Sequence, residues 1–254
     1  MIISMPLDKT NPLSMLSVVT VVFNDFENIA KTMDSVLTQD YSNIEYIVID
    51  GGSIDGTVDT IKAYEAKLAV FLSERDEGIY DAMNKGIARA SGEFIIFMNC
   101  GDVFANDEVV SSAMSFVNPN EGDQILFGHW QRSLQKCITN CQPVLEKGLF
   151  NHQAVIYSRN IHAWHGNYVN VKGLTTADYL FFSTLFNSSI VSCKVIATMI
   201  ATIDVNGVSS GLQTFSQKYA IDFICGRVNK LQLLMILIAH PTYRWIKTLL
   251  RFNC

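Results

Sequence analysis

The sequence predicts an α/β protein built on a parallel, doubly wound sheet, and three observations lead to this fold class. Short apolar runs alternate with amphipathic segments through the first hundred residues. The loops between these elements are short, as expected where strands and helices alternate around right-handed crossovers. Acidic residues finish or follow the predicted strands at Asp50, Asp76 and Asp102.

Four strands are predicted in this first part of the chain, each from a run of β-branched or other apolar residues. They cover residues 17–23, 44–50, 69–72 and 94–98. Apolar residues at helical spacing predict three helices between them, and Ser91 and Gly92 end the last of these helices. The apolar run from 94 to 98 indicates a central strand that is covered on both faces.

The second part of the chain is less regular. Strands are predicted at residues 124–129 and 154–158, with an irregular loop from 130 to 150 between them. A helix is expected to start near Thr175, and residues 190–204 predict one long strand or two short ones.

Composition and charge exclude several classes of protein. The chain has 254 residues, of which 49% are hydrophobic, so it can build a large core. Its net charge of -5 gives no general electrostatic case for binding nucleic acid. We expect no membrane span, because no run of about 18 apolar residues occurs, and no secretion signal. Cys137 and Cys141 have no matching pair nearby, so reduced thiols in the cytoplasm are expected rather than a zinc site.

The end of the chain, residues 223–254, is predicted to form apolar helices broken at Pro241. It carries five basic residues and no acidic residue. Such a segment either packs on its own domain or lies on an anionic membrane surface. The second interpretation predicts a protein that is peripheral at the inner face of the membrane.

The stretch FIIFMNCGD carries the most informative acidic residue, Asp102. It follows a predicted central strand, and open α/β sheets bind ligands outside the carboxyl ends of their strands. A carboxylate there suits a hard divalent cation that also holds substrate phosphates. The alternative is an ordinary turn, since Asn99, Gly101 and Asp102 are common turn residue types.

Three segments in fixed order resemble the family 2 glycosyltransferases, which have the GT-A fold. They are SVVTVVFND, YIVIDGGSIDGT and DEGIYDAMNKGIARASGEFIIFMNCGD, within residues 17–102. A weaker similarity follows in NHQAVIYS, TTADY and NGVSS. Within the family, the chain is most similar to the small bacterial enzymes of exopolysaccharide and O-antigen assembly, including the colanic acid glycosyltransferases.

The resemblance implies an inverting transfer of one sugar from a nucleotide-sugar, UDP-linked, with Mn²⁺ or Mg²⁺ as cofactor. The implied acceptor is a saccharide linked to a lipid diphosphate. The expected organisation is a tail at 1–15 and a GT-A domain at 16–222, followed by amphipathic helices at 223–254. Within the domain, residues 16–118 form the nucleotide-sugar half and residues 119–222 the acceptor half.

The resemblance also implies a set of site residues. Asp102 stands where the family has a metal ligand, although Asn99 replaces an aspartate that many members carry. Asp178 stands at the catalytic base, with Ala177 in place of the family's glutamate. His152 is a candidate contact for the diphosphate, the metal or the acceptor. The implied nucleotide-sugar-binding residues are Thr20, Val22, Asn24, Asp50, Gly52, Ser53, Asp76 and Asn84.

Each of these assignments has a structural alternative. Asp50 could simply start a turn, Asn84 could be an exposed helix residue and His152 a core histidine. Asp178 lies three residues after Thr175, which is the spacing of a helix capping box.

Other classes of protein also stay open. A sugar-nucleotide nucleotidyltransferase normally has a Gly- and Arg-rich loop after its first strand, and VVFNDFEN is not such a loop. A nicotinamide oxidoreductase lacks support because no G-x-G-x-x-G follows that strand. A sugar-nucleotide-binding scaffold with a decayed site is favoured by Asn99 and opposed by Asp102 and Asp178.

Overall fold

The structure, a computed structural model, describes residues 13–134, 137–186, 188, 190–204, 212–232 and 234. Most of the predicted tail at 1–15 lies outside these residues, as do the segment NGVSS and most of the predicted helices at 223–254. Within the described ranges, no helix has the length and the apolar character needed to cross a bilayer.

Nine strands form one sheet in the part of the chain that the structure describes. They are β1 (Leu16–Val22), β2 (Ile44–Asp50), β3 (Val70–Ser73), β4 (Phe94–Phe97), β5 (Val103–Phe104), β6 (Gln124–Leu134), β7 (Cys137–Cys141), β8 (Val155–Ser158) and β9 (Ser192–Asp204). Their order across the sheet is β3-β2-β1-β4-β8-β6-β9-β5, and β7 pairs with β6. The predicted parallel pairing is confirmed for β1 to β4. The other half is mixed, because β4–β8, β6–β8 and β5–β9 are antiparallel and β6–β9 is parallel.

Helices cover both faces of the sheet, and the predicted α/β fold class is confirmed. They are α1 (Phe26–Leu37), α2 (Thr57–Lys62), α3 (Ile79–Arg89), α4 (Val109–Met114), α5 (Ile161–His165), α6 (Ala177–Leu185) and α7 (Leu212–Ile224). Helix α7 lies mostly within the predicted GT-A domain and crosses the boundary placed between 222 and 223 by two residues.

A hairpin of β6 and β7 corrects the irregular loop predicted for residues 130–150. β6 continues to Leu134, and Trp130 to Leu134 pair with Cys141 to Cys137. The same stretch of β6 also pairs with β9 as far as Asp204, which confirms one long strand there. Only one of its two neighbours in the sheet is β7, which is close in sequence; the other is β9, which is distant in sequence.

The core consists of two layers, one on each face of the sheet. All seven residues of β1 are buried, and they alternate between the layers: Val18 faces one and Val19 the other. Helix α3 lies close on the second face, where a side-chain Cβ at Gly86 would stand 3.6 Å from Ile49 Cγ1. Burial on both faces explains why these strands are continuous apolar runs.

Candidate active site

The carboxyl ends of β1, β2 and β4 lie side by side because the strands pair in parallel, with Val22 opposite Asp50. The residues that follow these strands therefore gather at one edge of the sheet. This is the edge at which open α/β sheets bind ligands.

The Asp50 carboxylate holds the turn after β2 from within. Asp50 is fully buried, and its Oδ2 accepts hydrogen bonds from the Gly52 and Ser53 amides at 3.0 Å each and from Ser73 Oγ at 2.6 Å. Gly52 has φ +86°, which favours glycine. Asp50 is thus a turn residue in this structure, and its carboxylate fixes the shape of the Gly52–Ser53 backbone.

Asn24 joins the ends of β1 and β2. The Asn24 backbone amide donates to Ser53 Oγ at 2.7 Å, and the Asn24 side-chain Oδ1 accepts from the Ile54 backbone amide at 2.9 Å. Its φ of +48° is a left-handed conformation that asparagine tolerates better than most residues. The two loops therefore form one rigid rim.

Thr20 and Val22 correct the sequence interpretation, because their side chains do not reach this rim. Thr20 is fully buried, donates to the Met98 carbonyl at 2.8 Å and lies 3.0 Å from Tyr46 Oη. Val22 belongs to a buried hydrophobic cluster. Both side chains are therefore used inside the protein, where β1 is covered on both faces.

An exposed aromatic side chain, missed in the sequence analysis, stands at the same rim. Phe23 is 61% exposed although it directly follows a buried strand. A Cβ at Gly51 would lie 3.3 Å from its ring and would collide with the Asp76 carboxylate. Glycine at this position leaves the backbone bare between an aromatic ring and a carboxylate.

The side chains of Asp76 and Asn84 both form hydrogen bonds with backbone groups in this structure. Asp76 Oδ1 accepts from the Gly78 amide at 3.0 Å, just before α3. Both polar atoms of the Asn84 side chain bond to the backbone of Tyr168, at 2.8 and 3.1 Å. Asn84 therefore fixes the segment around Tyr168 against α3. In this structure its side chain is bonded within the protein, and it is not an exposed helix residue.

The turn after β4 presents Asn99 and Asp102. Thr32 of α1 anchors it, since its Oγ1 donates to the Asp102 carbonyl at 2.9 Å and accepts from the Gly101 amide at 3.0 Å. Asn99 and Asp102 are 7% and 6% exposed. The buried Asn99 Oδ1 has no hydrogen-bond partner among the described residues.

These two side chains fit a hard cation through their oxygen atoms. Amide oxygens and carboxylates are ligand types that Mg²⁺ and Mn²⁺ use, and Mg²⁺ sites often combine one or two carboxylates with substrate phosphates. Across the described residues, no group of three or more His, Cys, Asp or Glu could hold a metal by itself. A metal here would thus need oxygen ligands from a bound substrate.

His152 lies beside this turn because of strand pairing. In the antiparallel β4–β8 ladder, Phe94 is opposite Ser158 and Ile95 is opposite Tyr157. Continuing this register places the residues just before β8 next to Asn99. His152 Nε2 is 3.2 Å from Asn99 Nδ2.

Asp178 completes a chain of hydrogen bonds through His152. Its Oδ2 is 2.9 Å from His152 Nδ1, and its Oδ1 accepts from Tyr80 Oη at 2.6 Å. Because a carboxylate only accepts, His152 Nδ1 is the donor, and in the neutral ring Nε2 can then accept from Asn99. Burial raises the pKa of Asp178, but the nearby His152 and the hydrogen bonds outweigh burial and lower it to about 2. Asp178 is therefore ionised at neutral pH.

The capping-box alternative for Asp178 is not what the structure shows. Helix α6 starts at Ala177 after Thr176, with no capping hydrogen bond from that residue's side chain. The Asp178 side chain instead contacts His152 and Tyr80. Tyr80 was not a candidate from the sequence, because its hydrogen bond to Asp178 joins residues 98 positions apart.

Helix α7 fixes the segment that leads into Asp178. Gln217 Oε1 accepts from the Thr175 amide at 3.0 Å and from Thr176 Oγ1 at 3.1 Å, while Gln217 Nε2 donates to the Gly173 carbonyl at 2.7 Å. Thr214 Oγ1 lies 2.7 Å from Thr175 Oγ1. The start of α6, and with it the position of Asp178, is thus held by α7.

A cavity of about 520 Å³ lies at the opposite edge of the sheet, lined among others by Glu93, Asp123 and Arg159. It adjoins the start of β4 and the end of β8, away from the carboxyl ends of the parallel strands. This cavity therefore lies away from the cluster of Asn99, His152 and Asp178.

The fold is that of a GT-A protein, and comparisons with known proteins agree. Residues 17–135 match the family model described as glycosyl transferase family 2. An uncharacterized glycosyltransferase of Mycobacterium tuberculosis is 45% identical over 39% of this chain and 38% of its own length. A PGL/p-HBAD biosynthesis glycosyltransferase of Mycobacterium bovis is 24% identical over 76% of this chain and 78% of the relative. The chain thus spans less than two fifths of the first relative, and these matches support a glycosyltransferase.

Solved structures share the fold. S. aureus TarS 1-349 in complex with UDP-GlcNAc has a TM-score of 0.67 at 18% identity. The match covers 88% of this chain and 70% of the TarS 1-349 chain. The mannosyltransferase PcManGT of Pyrobaculum calidifontis, in complex with GDP-Man and Mn²⁺, has a TM-score of 0.62 at 15% identity. The match covers 85% of this chain and 65% of the PcManGT chain. The GT-A fold expected from the sequence is confirmed.

Proposed function

We propose that this protein is an inverting glycosyltransferase that moves one sugar from a UDP-linked donor to an acceptor hydroxyl. The observation that carries the proposal is the hydrogen-bonded chain from Asn99 through His152 to Asp178. In this proposal Asp178, on one side of the His152 ring, is the base, and the turn that carries Asn99, on the other side, faces the diphosphate. The names of the family and of the relatives support a sugar transfer, and the ligands of TarS and PcManGT support a nucleotide-sugar donor.

The proposed reaction is a single in-line displacement. The acceptor oxygen bonds to the anomeric carbon as the bond from that carbon to the diphosphate oxygen breaks, and the diphosphate leaves with the electron pair. Asp178 takes the acceptor proton as general base. With a pKa of about 2 it is fully ionised but weakly basic, so it suits an acceptor proton that becomes acidic only as the new bond forms.

Asp102 and Asn99 would hold the proposed Mn²⁺ or Mg²⁺ through their side-chain oxygens. When bound, such a cation neutralises charge on the departing diphosphate. The protein's own part is to keep these oxygens in place. Thr32 contributes by bonding to the Gly101 amide and the Asp102 carbonyl of the turn. His152 adds a nitrogen next to the same turn.

The nucleotide is assigned to the rim formed by Asn24, Asp50, Gly52 and Ser53, with Asp76 nearby. Asp50→Ala is expected to weaken UDP binding about 10-fold or more, the scale of a lost charge-assisted hydrogen bond, while kcat changes less. The cause is either loss of a contact to the base or collapse of the turn that Asp50 holds. Calorimetry with UDP tests this.

Ser73→Ala is the matched control for that experiment, because it removes one donor to Asp50 and keeps the carboxylate. It should change UDP affinity much less. Equal UDP affinity in folded Asp50→Ala and in the unchanged protein would remove Asp50 from the site.

A lipid-diphosphate-linked saccharide is the proposed acceptor, in the synthesis of bacterial surface polysaccharide such as O-antigen or exopolysaccharide, which includes the colanic acid type. We also propose that the protein works in the cytoplasm, peripheral at the inner membrane. Ile224, Leu231 and Leu234 support this through their exposure, 73%, 66% and 55%, near Arg227 and Lys230.

Deleting residues 229–254 is expected to reduce sedimentation with anionic liposomes, because the segment supplies apolar and basic residues. Helix α7 remains intact in this truncation, so the active site should keep its UDP affinity. Equal sedimentation of the full and shortened chains would contradict peripheral membrane binding.

A screen of UDP- and GDP-sugars against short lipid-diphosphate acceptors tests the proposed function, with the anomeric configuration determined on any product. Transfer with inversion from a UDP-sugar is expected. Retention of configuration would overturn the mechanism. Binding of UDP with no transfer and no donor hydrolysis would instead indicate a sugar-nucleotide-binding protein with a decayed site.

A further inference from the structure

Tyr80, on helix α3, holds one carboxylate oxygen of the candidate base while His152 holds the other. Tyr80 Oη donates to Asp178 Oδ1 at 2.6 Å, and His152 Nδ1 lies 2.9 Å from Asp178 Oδ2. Each oxygen of the carboxylate therefore has its own side-chain donor. The carboxylate cannot rotate about its Cβ–Cγ bond without breaking one of these two hydrogen bonds.

Tyr80 is itself fixed by its surroundings. Its side chain is buried, and its ring centroid lies 6.0 Å from that of Tyr168. Asn84, one turn further along α3 on the same face of the helix, bonds through its side chain to both the amide and the carbonyl of Tyr168. Helix α3 is thus tied to the segment around Tyr168, and this tie holds the Tyr80 hydroxyl in place.

The Tyr80 hydroxyl acts toward Asp178 as a donor that keeps its proton. Burial raises the pKa of Tyr80 most, and the charge of Asp178 and the hydrogen bond to it raise the pKa further. Asp178 is ionised and Tyr80 is neutral at neutral pH, so the phenol cannot take the acceptor proton. Its contribution is confined to the orientation and the environment of the carboxylate.

Satisfying a buried phenol does not require a carboxylate. A buried tyrosine hydroxyl normally finds a hydrogen-bond partner, and a backbone carbonyl is enough, as the Ser14 carbonyl is for Tyr41 Oη at 2.7 Å. Burying a carboxylate costs free energy that a neutral acceptor would not cost. The pairing of Tyr80 with Asp178 is therefore better explained by what it does to Asp178 than by the needs of the core.

We propose that Tyr80 is a positioning residue, which orients the Asp178 carboxylate toward the acceptor hydroxyl. This inference rests on the proposed function, which makes Asp178 the general base. During transfer the acceptor proton goes to Asp178, and Tyr80 keeps its own proton throughout. A base that is already oriented loses less freedom on reaching the transition state.

Tyr80→Phe tests the inference because it removes only the hydroxyl and keeps the buried ring. We expect kcat to fall about 10-fold, the scale of one charge-assisted hydrogen bond, with unchanged UDP affinity and unchanged KM for the donor. In the Asp178→Asn protein the same change should lower kcat much less, because the two residues act as a unit. Tyr41→Phe also removes a hydrogen-bonded hydroxyl from a buried tyrosine, and as the matched control it should leave kcat unchanged.

Two results would overturn the inference. Normal kcat in Tyr80→Phe together with a lowered melting temperature would mean that the hydroxyl serves packing only. Full multiplication of the two losses of kcat in the double variant would mean that Tyr80 acts independently of Asp178.

A measurement without turnover separates this inference from the proposed function. The His152 Nδ1 proton, which Asp178 Oδ2 accepts, should exchange slowly with water in NMR spectra of the unchanged protein and of Tyr41→Phe. It should exchange faster in Tyr80→Phe, where the carboxylate is free to rotate.

The two failures then give different results. If the exchange is faster in Tyr80→Phe but no donor supports transfer, the hold of Tyr80 on the carboxylate stands and the transferase assignment fails. If transfer depends on Asp178, yet kcat and the exchange of the His152 proton are both unchanged in Tyr80→Phe, the transferase assignment stands and the positioning role fails.

Discussion

Replacing Asp178 with asparagine is expected to lower kcat about 100-fold or more, the usual scale for loss of a general base, with little change in UDP affinity. Asparagine keeps the shape and can still accept the hydrogen bond from Tyr80 through its side-chain oxygen. It cannot accept a proton from the acceptor hydroxyl. Steady-state kinetics and UDP calorimetry on the same preparation measure the two effects.

A separate loss of stability is expected at His152. The asparagine NH₂ would face His152 Nδ1–H, so one hydrogen bond must be rearranged or lost, at a cost of about 1–2 kcal/mol. A purely structural role for Asp178 predicts this stability loss with near-normal kcat. Measuring the melting temperature and kcat together separates the two roles, and Asp59→Asn, on the exposed surface, is the matched control.

The pH dependence of that stability difference follows from the pKa of Asp178. In the folded state the pKa is about 2, below the value of about 3.9 for an unperturbed aspartate. A lowered pKa stabilises the fold above the unfolded value, and this stabilisation is lost as pH falls through the folded value. The stability gap between the unchanged protein and Asp178→Asn should therefore be full above about pH 4 and shrink toward pH 2.

The strands of the first hundred residues could be predicted from sequence because each is specified locally. The run Phe94 to Met98 is apolar throughout, and burial on both faces follows from that alone. The extension of β6 to Leu134 could not be predicted, because one of the two strands that pair with it there, β9, lies some 70 residues further on. Local pattern predicts an element only where the element's own residues determine it.

Asp102, His152 and Asp178 could all be named as candidates from the sequence. The contacts that join Tyr80 and His152 to Asp178 could not, because they are made only by the fold. The Thr20 side chain shows the opposite error, since a motif position at a strand end was taken for a cleft residue although its oxygen is used inside the core. Spacing along the chain does not say which face of a buried strand a side chain occupies.

Asp102→Ala is expected to abolish metal-dependent turnover while leaving the fold intact. The turn is anchored through the backbone, since the Asp102 amide donates to the Asn99 carbonyl at 3.0 Å and the Asp102 carbonyl accepts from Thr32 at 2.9 Å. Alanine preserves both bonds and removes the only carboxylate of the proposed Asn99–Asp102 cation site. Asn99 alone offers one neutral oxygen, which binds a divalent cation far more weakly than a carboxylate.

Two measurements test this prediction. Mn²⁺ binding, followed by electron paramagnetic resonance in the presence of UDP, should be lost in Asp102→Ala and kept in Asp107→Ala, which removes a carboxylate that bonds to Thr38 on the surface. Asn99→Asp should tighten Mn²⁺ binding, because it adds a second anionic oxygen where the amide oxygen is now buried and orphaned. Full turnover of folded Asp102→Ala with added Mn²⁺ or Mg²⁺ would reject the metal assignment. Turnover that never required a metal, in the unchanged protein as well, would also reject the cation site proposed at this turn.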